Sequence, residues 1–182
     1  MAVRRGGEGE AGGITAGILT ISDRCYKKER ADQSGPALQK SVEALGWKTA
    51  LLAVVPDEAD IIEAVLAGWA DGKKFDLVLT TGGTGLGPRD VTPEATKKVL
   101  DKELPGLTEL MRREGSKTTA LASLSRAVAG SRKKTLIINL PGSPRGAVES
   151  FSAVAGLVIH ARAMLRGQDH LESKNKEAGP IV

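Results

Sequence analysis

Residues 75–90 read FDLVLTTGGTGLGPRD. The first seven form a continuous, mostly apolar run that stops at Gly82-Gly83, the pattern of a strand covered on both faces, as in a parallel sheet. The run gives way to a glycine-rich turn whose first charges are Arg89 and Asp90, with no lysine before Lys97. Two familiar phosphate loops are thereby excluded. The P-loop lacks its Lys-Ser/Thr pair, and residues 83–87 are G-x-G-x-G where the dinucleotide fingerprint requires G-x-G-x-x-G. Gly82, Gly83, Gly85 and Gly87 can still adopt positive φ and bare their amides, successive bare amides form an anion-binding nest, and Thr84 adds a hydroxyl. Such a loop manages without a lysine if a metal ion held by acids supplies the positive charge.

Outward from this stretch, strand and helix signals alternate. Residues 14–22 (ITAGILTIS) are β-rich; 34–46 read as a helix capped by Ser34, with Pro36 in its first turn and Gly46 at its end. Residues 47–55 form a second strand, after which Ile61, Ile62, Val65, Leu66 and Trp69 make one apolar stripe behind a possible cap at Asp57. Thr92 and Pro93 open another helix, 105–130 suggests two short helices broken near Gly115, 134–144 (KTLIINLPGSP) is the last clear strand, and 145–166 is a long helix. Strand–helix alternation of this spacing predicts an α/β fold: three layers, a doubly wound and mostly parallel sheet, helices on both faces. The expected organisation is a flexible arm at 1–13, one domain at 14–166 and a polar tail at 167–182.

In open parallel sheets ligands bind beyond the carboxyl ends of the strands. Three such ends carry polar turns: Ser22-Asp23-Arg24, the glycine loop, and Asn139 through Ser143 around Pro141-Gly142. Asp57, after the second strand, and Asp90, closing the glycine loop, could flank one cleft and hold Mg²⁺, which favours oxygen ligands shared with phosphates. Simpler roles exist for each: a helix cap for Asp57, an ion pair with Arg89 for Asp90, a strand-exit turn for residues 139–144.

Composition narrows the class. The 182 residues suffice for one domain. Aromatics are only 3%, which argues against the stacking platforms of single-strand nucleic-acid binders. The net charge of +4 comes with no dense basic run, SRKKT at 131–135 reading as a solvated loop. A single cysteine, Cys25, excludes an internal disulfide, and His160 and His170 make no zinc cluster. No membrane-spanning run and no secretory signal are read here, so a cytoplasmic location is expected.

TTGGTGLGPRDVTPEAT at 80–96, with SDR and SGP upstream, VVPDE between and INLPGSP downstream, resembles the Mog family of molybdopterin adenylyltransferases, which includes the G domains of gephyrin-like proteins. The resemblance runs over about 14–166; Gly87 stands where many members carry Thr. It implies Mg-ATP-dependent adenylylation of molybdopterin with release of pyrophosphate, a homotrimer, and a molybdenum insertase acting next. It assigns Asp57, Asp90 and Ser125 to catalysis, the two acids also to the metal. Ser22, Asp23, Gly82, Gly83, Thr84, Gly85, Asn139, Pro141, Gly142 and Ser143 are assigned to the substrate and nucleotide pocket. The alternatives are a catalytically weak molybdopterin-binding or trimeric scaffold module of the same fold, or the related competence-damage proteins, which usually carry a further domain.

Overall fold

The computed structural model describes residues 13–72 and 74–167; most of the expected arm and tail lies outside them. In chain order the elements are β1 (Thr15–Ile21), α1 (Asp23–Tyr26), α2 (Ser34–Ala44), β2 (Lys48–Val55), α3 (Ala59–Asp71), β3 (Leu77–Thr81), α4 (Thr92–Val99), β4 (Lys102–Glu103), α5 (Pro105–Ser116), a 3₁₀ turn (Ala120–Leu124), β5 (Ala129–Arg132), β6 (Thr135–Leu140) and α6 (Pro144–Leu165). The six strands lie in the order β2-β1-β3-β6-β5-β4. The four on the β2 side run parallel, and β4 and β5 are antiparallel additions.

Alternation along the central strands divides the core. Ile18, Leu77, Leu79, Leu136 and Ile138 pack with Leu38 of α2, Met111 of α5 and Phe151 of α6 on one face. Leu19, Val78 and Ile137 turn to the other face, against Ile62 and Leu66 of α3 and Ala95 of α4. Both faces are therefore dry, which explains why β3 and β6 read as unbroken apolar runs. Close approach of α3 needs Gly17, where a Cβ would sit 2.9 Å from the Trp69 ring.

Where sequence and structure differ, the cause is tertiary. Residues 102–103 and 129–132 carry no strand periodicity, yet they extend the sheet because the free edge of β6 offers backbone partners. The basic run expected to be a solvated loop forms the β5–β6 turn, Lys133 taking φ 51°. There Arg132 grips Asp71 with two bonds of 2.9 Å and Lys133 adds a third contact at 2.8 Å. These cations hold the Asp71 carboxyl well below the ordinary range. α6 also corrects the expectation that no segment is long and apolar enough to cross a membrane: by length and composition it is. Its buried stripe of Ala147, Phe151, Val154 and Val158 is what packs on the sheet.

β1 is followed outward by β2 on one side and by β3 on the other, so the winding reverses between β1 and β3. Crevices form beyond the strand ends at such a reversal. Ser22 follows β1 and Gly82 follows β3, one on each side of it.

Candidate active site

A cavity of about 470 Å³ opens at this rim, lined by Gly83, Thr84, Gly85, Asp90, Ser125 and the start of α6, with an apolar wall at Leu121 and Leu124. A smaller polar one of about 220 Å³ adjoins it, lined by Ser22, Arg30, Asp32, Ser34, Asp57 and Gly82. Gly83 and Gly142 border both, so the two form lobes of one cleft. Residues 141–143 line the larger lobe. Of the residues singled out by sequence, Asp23 and Asn139 line neither lobe.

The glycine loop is held from outside. Gly82 takes φ +105°, and a Cβ there would fall 2.2 Å from the Ile21 carbonyl oxygen. Gly82 O accepts from the Thr92 hydroxyl (2.9 Å) and Gly83 O from the Thr92 N–H (3.2 Å). Thr84 O accepts from the Arg126 N–H (3.0 Å), Gly85 O from Arg126 Nε (2.7 Å) and Asp90 O from Arg126 Nη2 (2.6 Å). The carbonyls are thus engaged, while among the described residues none accepts from the amides of Gly83, Thr84, Gly85 or Leu86. Gly83, Thr84 and Gly85 line the larger lobe and Leu86 follows them at its exposed edge; a run of free N–H donors of this kind can bind an anion. Thr84, only 6% exposed as a residue, also lines the larger lobe and adds a hydroxyl.

The two acids flank this run. Asp57 does not cap α3; its Oδ2 accepts from the Asp23 N–H (2.7 Å) while Asp23 Oδ1 accepts from the Asp57 N–H (3.1 Å). This reciprocal clasp joins the ends of β1 and β2. Arg89 closes it with two 3.1 Å bonds to Asp23 and one of 2.7 Å to Glu58. Arg89 therefore does not pair with Asp90. Asp90 Oδ2 accepts from the Gly87 N–H (2.7 Å), and a Cβ on Gly87 would lie 2.8 Å from that oxygen. Burial pushes the Asp57 carboxyl above its ordinary range; the charges of Asp23 and Asp90 push the same way, against the Asp23 N–H and Arg89. Burial also raises Asp23, but the Asp57 N–H, Arg89 and Lys27 outweigh it and leave Asp23 low.

The donor set suits a hard divalent cation. A Cβ on Gly83 would sit 3.3 Å from Asp57 Oδ1, and one on Gly85 2.9 Å from Asp90 Oδ2, so the carboxylates face positions two residues apart. Oδ1 of each has no protein donor among the described residues. No cluster of three or more metal-binding side chains exists among those residues. An ion here would complete its shell with water and phosphate oxygens, the habit of Mg²⁺.

Other assigned residues brace the walls. Ser125 Oγ accepts from the Ala127 N–H (3.3 Å) and Ser143 Oγ caps α6 by accepting from Gly146 N–H (3.2 Å). Pro141 O takes the Thr81 hydroxyl and Gly142 O the Ser34 hydroxyl. Ser34 is thus not the cap of α2: Asp32 Oδ1 accepts from the Ser34 and Gly35 N–H groups instead. Asn139 is fully buried, accepting from the Val128 N–H (3.1 Å) and donating to the Thr80 and Thr96 hydroxyls (2.9 Å each). Sequence reasoning missed Thr92 and Arg126 as loop anchors, and Glu149 in the cavity wall. A Thr-Pro pair reads as a helix start, and nothing local marks an arginine 36 residues from Asp90 as its partner.

Fold and cleft define an α/β protein with a two-lobed cleft at the carboxyl edge of its sheet, carrying the donors an anion would need. The chain belongs to the family described as "Probable molybdopterin binding domain", whose profile matches residues 17–160. It is 48% identical over 156 residues to the molybdopterin adenylyltransferase of Helicobacter pylori strain J99, covering 85% of this chain and 89% of that protein. It is 45% identical over 149 residues to the molybdenum cofactor synthesis protein cinnamon of Drosophila melanogaster, covering 81% of this chain but only 25% of that longer protein. The crystal structure of the molybdopterin biosynthesis enzyme MoaB from Thermus thermophilus shares the fold at 49% identity and a TM-score of 0.80, over 85% of this chain and 97% of that one.

Proposed function

We propose that the protein transfers the adenylyl group of ATP to the terminal phosphate of molybdopterin. An oxygen of that phosphate forms a bond to the α-phosphorus as the bond to the bridging oxygen breaks and pyrophosphate leaves. The observation carrying this reading is the run of four unpaired amides at 83–86 between two carboxylates; family membership and the activity named for the Helicobacter relative support it.

The nucleophile is already anionic, so no general base is required and catalysis rests on alignment and charge. The amides of Gly83, Thr84, Gly85 and Leu86 bind and orient phosphate oxygens, with the Thr84 and Ser125 hydroxyls beside them. Asp57 and Asp90 would hold Mg²⁺ directly or through water. When bound, the ion supplies charge neutralisation at phosphate oxygens. The Asp23–Arg89 clasp fixes the Asp57 carboxylate, and Leu121 and Leu124 give the larger lobe one apolar wall. We read the working assembly as a cytoplasmic homotrimer that passes its product to a molybdenum insertase; that the Drosophila relative carries about three quarters of its length beyond this domain is consistent with a partner domain.

The test is pyrophosphate release from purified molybdopterin and Mg-ATP. Asp57→Asn and Asp90→Asn should each lower kcat by roughly a hundredfold or more, the scale of losing one charge-stabilising group, with circular dichroism unchanged. No pyrophosphate from the wild type, beside an active homologous enzyme, would refute the proposal; full turnover in both variants would remove the metal assignment.

A further inference from the structure

Arg126 lies outside every catalytic and binding role assigned so far, yet it holds more of the glycine loop than any other side chain. Its N–H, Nε and Nη2 take the carbonyls of Thr84, Gly85 and Asp90, and Nη1 pairs with Glu94. A trans peptide unit points its C=O and its N–H in opposite directions. Anchoring Thr84 O and Gly85 O on Arg126 therefore turns the N–H groups of Gly85 and Leu86 the other way. Anchoring Gly82 O and Gly83 O on Thr92 does the same for Gly83 and Thr84. The four amides without acceptors are the opposite ends of the four anchored carbonyls.

We propose that Arg126 is the positioning residue that gives this loop its amide face and ties Asp90 and Ser125 into one wall. Thr92, set rigidly at the start of α4 and fully buried, orients the first half of the run; Arg126 orients the second. A planar guanidinium can span Gly85 O and Asp90 O, five residues apart, in one plane, whereas an ammonium is a point donor. Arg126 also follows Ser125 directly in the chain, and Arg112 Nη1 steadies the Ser125 carbonyl at 3.4 Å. Movement of the arginine would thus displace the loop and Ser125 together. The catalytic meaning rests on the loop being the phosphate site, but the orientation itself does not.

The test compares full-length wild type with Arg126→Lys and Arg126→Ala by hydrogen exchange without ligand, and by ATP kinetics. Arg126→Lys should speed exchange at the loop's hydrogen-bonded amides, Gly87, Asp90 and Thr92, about tenfold, the effect of losing one or two hydrogen bonds from a charged donor, and leave β6 amides unchanged. KM for ATP should rise with kcat less affected, and millimolar guanidinium, but not ammonium, should restore Arg126→Ala. If Arg126→Ala does not fold, Arg126→Lys alone decides. Wild-type exchange at Gly87, Asp90 and Thr92 in the lysine variant, or equal acceleration throughout the sheet, would overturn the proposal. Faster loop exchange in a protein whose wild type transfers no adenylyl group would leave the positioning role standing and refute the function instead.

Discussion

Replacing Asn139 by Ala separates a ligand contact from a structural strut. The side chain is fully buried and makes three hydrogen bonds, to the Val128 N–H and the Thr80 and Thr96 hydroxyls. Truncation leaves the Val128 N–H without an acceptor inside the protein, at about 1–3 kcal/mol, and deletes two neutral bonds at about 0.5–1.5 kcal/mol each. The sum, about 2–6 kcal/mol, is a large part of the roughly 5–15 kcal/mol that holds a domain together. With a urea slope of about 2 kcal/mol per molar, the midpoint should fall by about 1–3 M, measured at fixed protein concentration. Turnover of the folded variant should stay within a few-fold of wild type, because Asn139 lines neither lobe of the cleft. An unchanged midpoint with abolished turnover would refute this reasoning and return Asn139 to the substrate.

Gly82→Ala combines an unfavourable positive φ with a 2.2 Å approach to Ile21 O; it should cost more than about 4 kcal/mol and appear as insoluble or unfolded protein, so a soluble variant with wild-type thermal midpoint contradicts the described turn. The Asp57 carboxyl should titrate above 3.8 by carbon NMR, chiefly through burial, and move down when Asp90→Asn removes one of the charges raising it. A raised folded-state pKa favours the neutral acid, so its contribution to stability is present below pH 3.8 and lost as pH rises through the raised value. Asp57→Asn should accordingly be more stable than wild type at neutral pH, with the gap narrowing in acid; a difference that does not depend on pH would exclude this origin.

The central parallel strands were legible because they are covered on both faces, so that β3 and β6 carry mostly apolar runs ended by glycine or proline. The antiparallel extension was not: residues 129–132 read AGSR and become a strand through the edge they meet. Sequence likewise brought Asp57 and Asp90 into view, since an acid at a strand end is visible in a one-dimensional pattern. What it could not show is which partner each charge takes. Arg89 beside Asp90 reaches across to Asp23 and Glu58, and Asn139, polar at a strand end, turns into the sheet.

A loop whose carbonyls are already satisfied by Thr92 and Arg126 needs no guest to acquire its shape. The conformational entropy of those glycines, the most costly to restrict, is lost when the chain folds and is not lost again on association. Affinity for a phosphate at this edge is then limited by stripping water from two surfaces, and rigidity that looks structural is a form of preorganisation for binding.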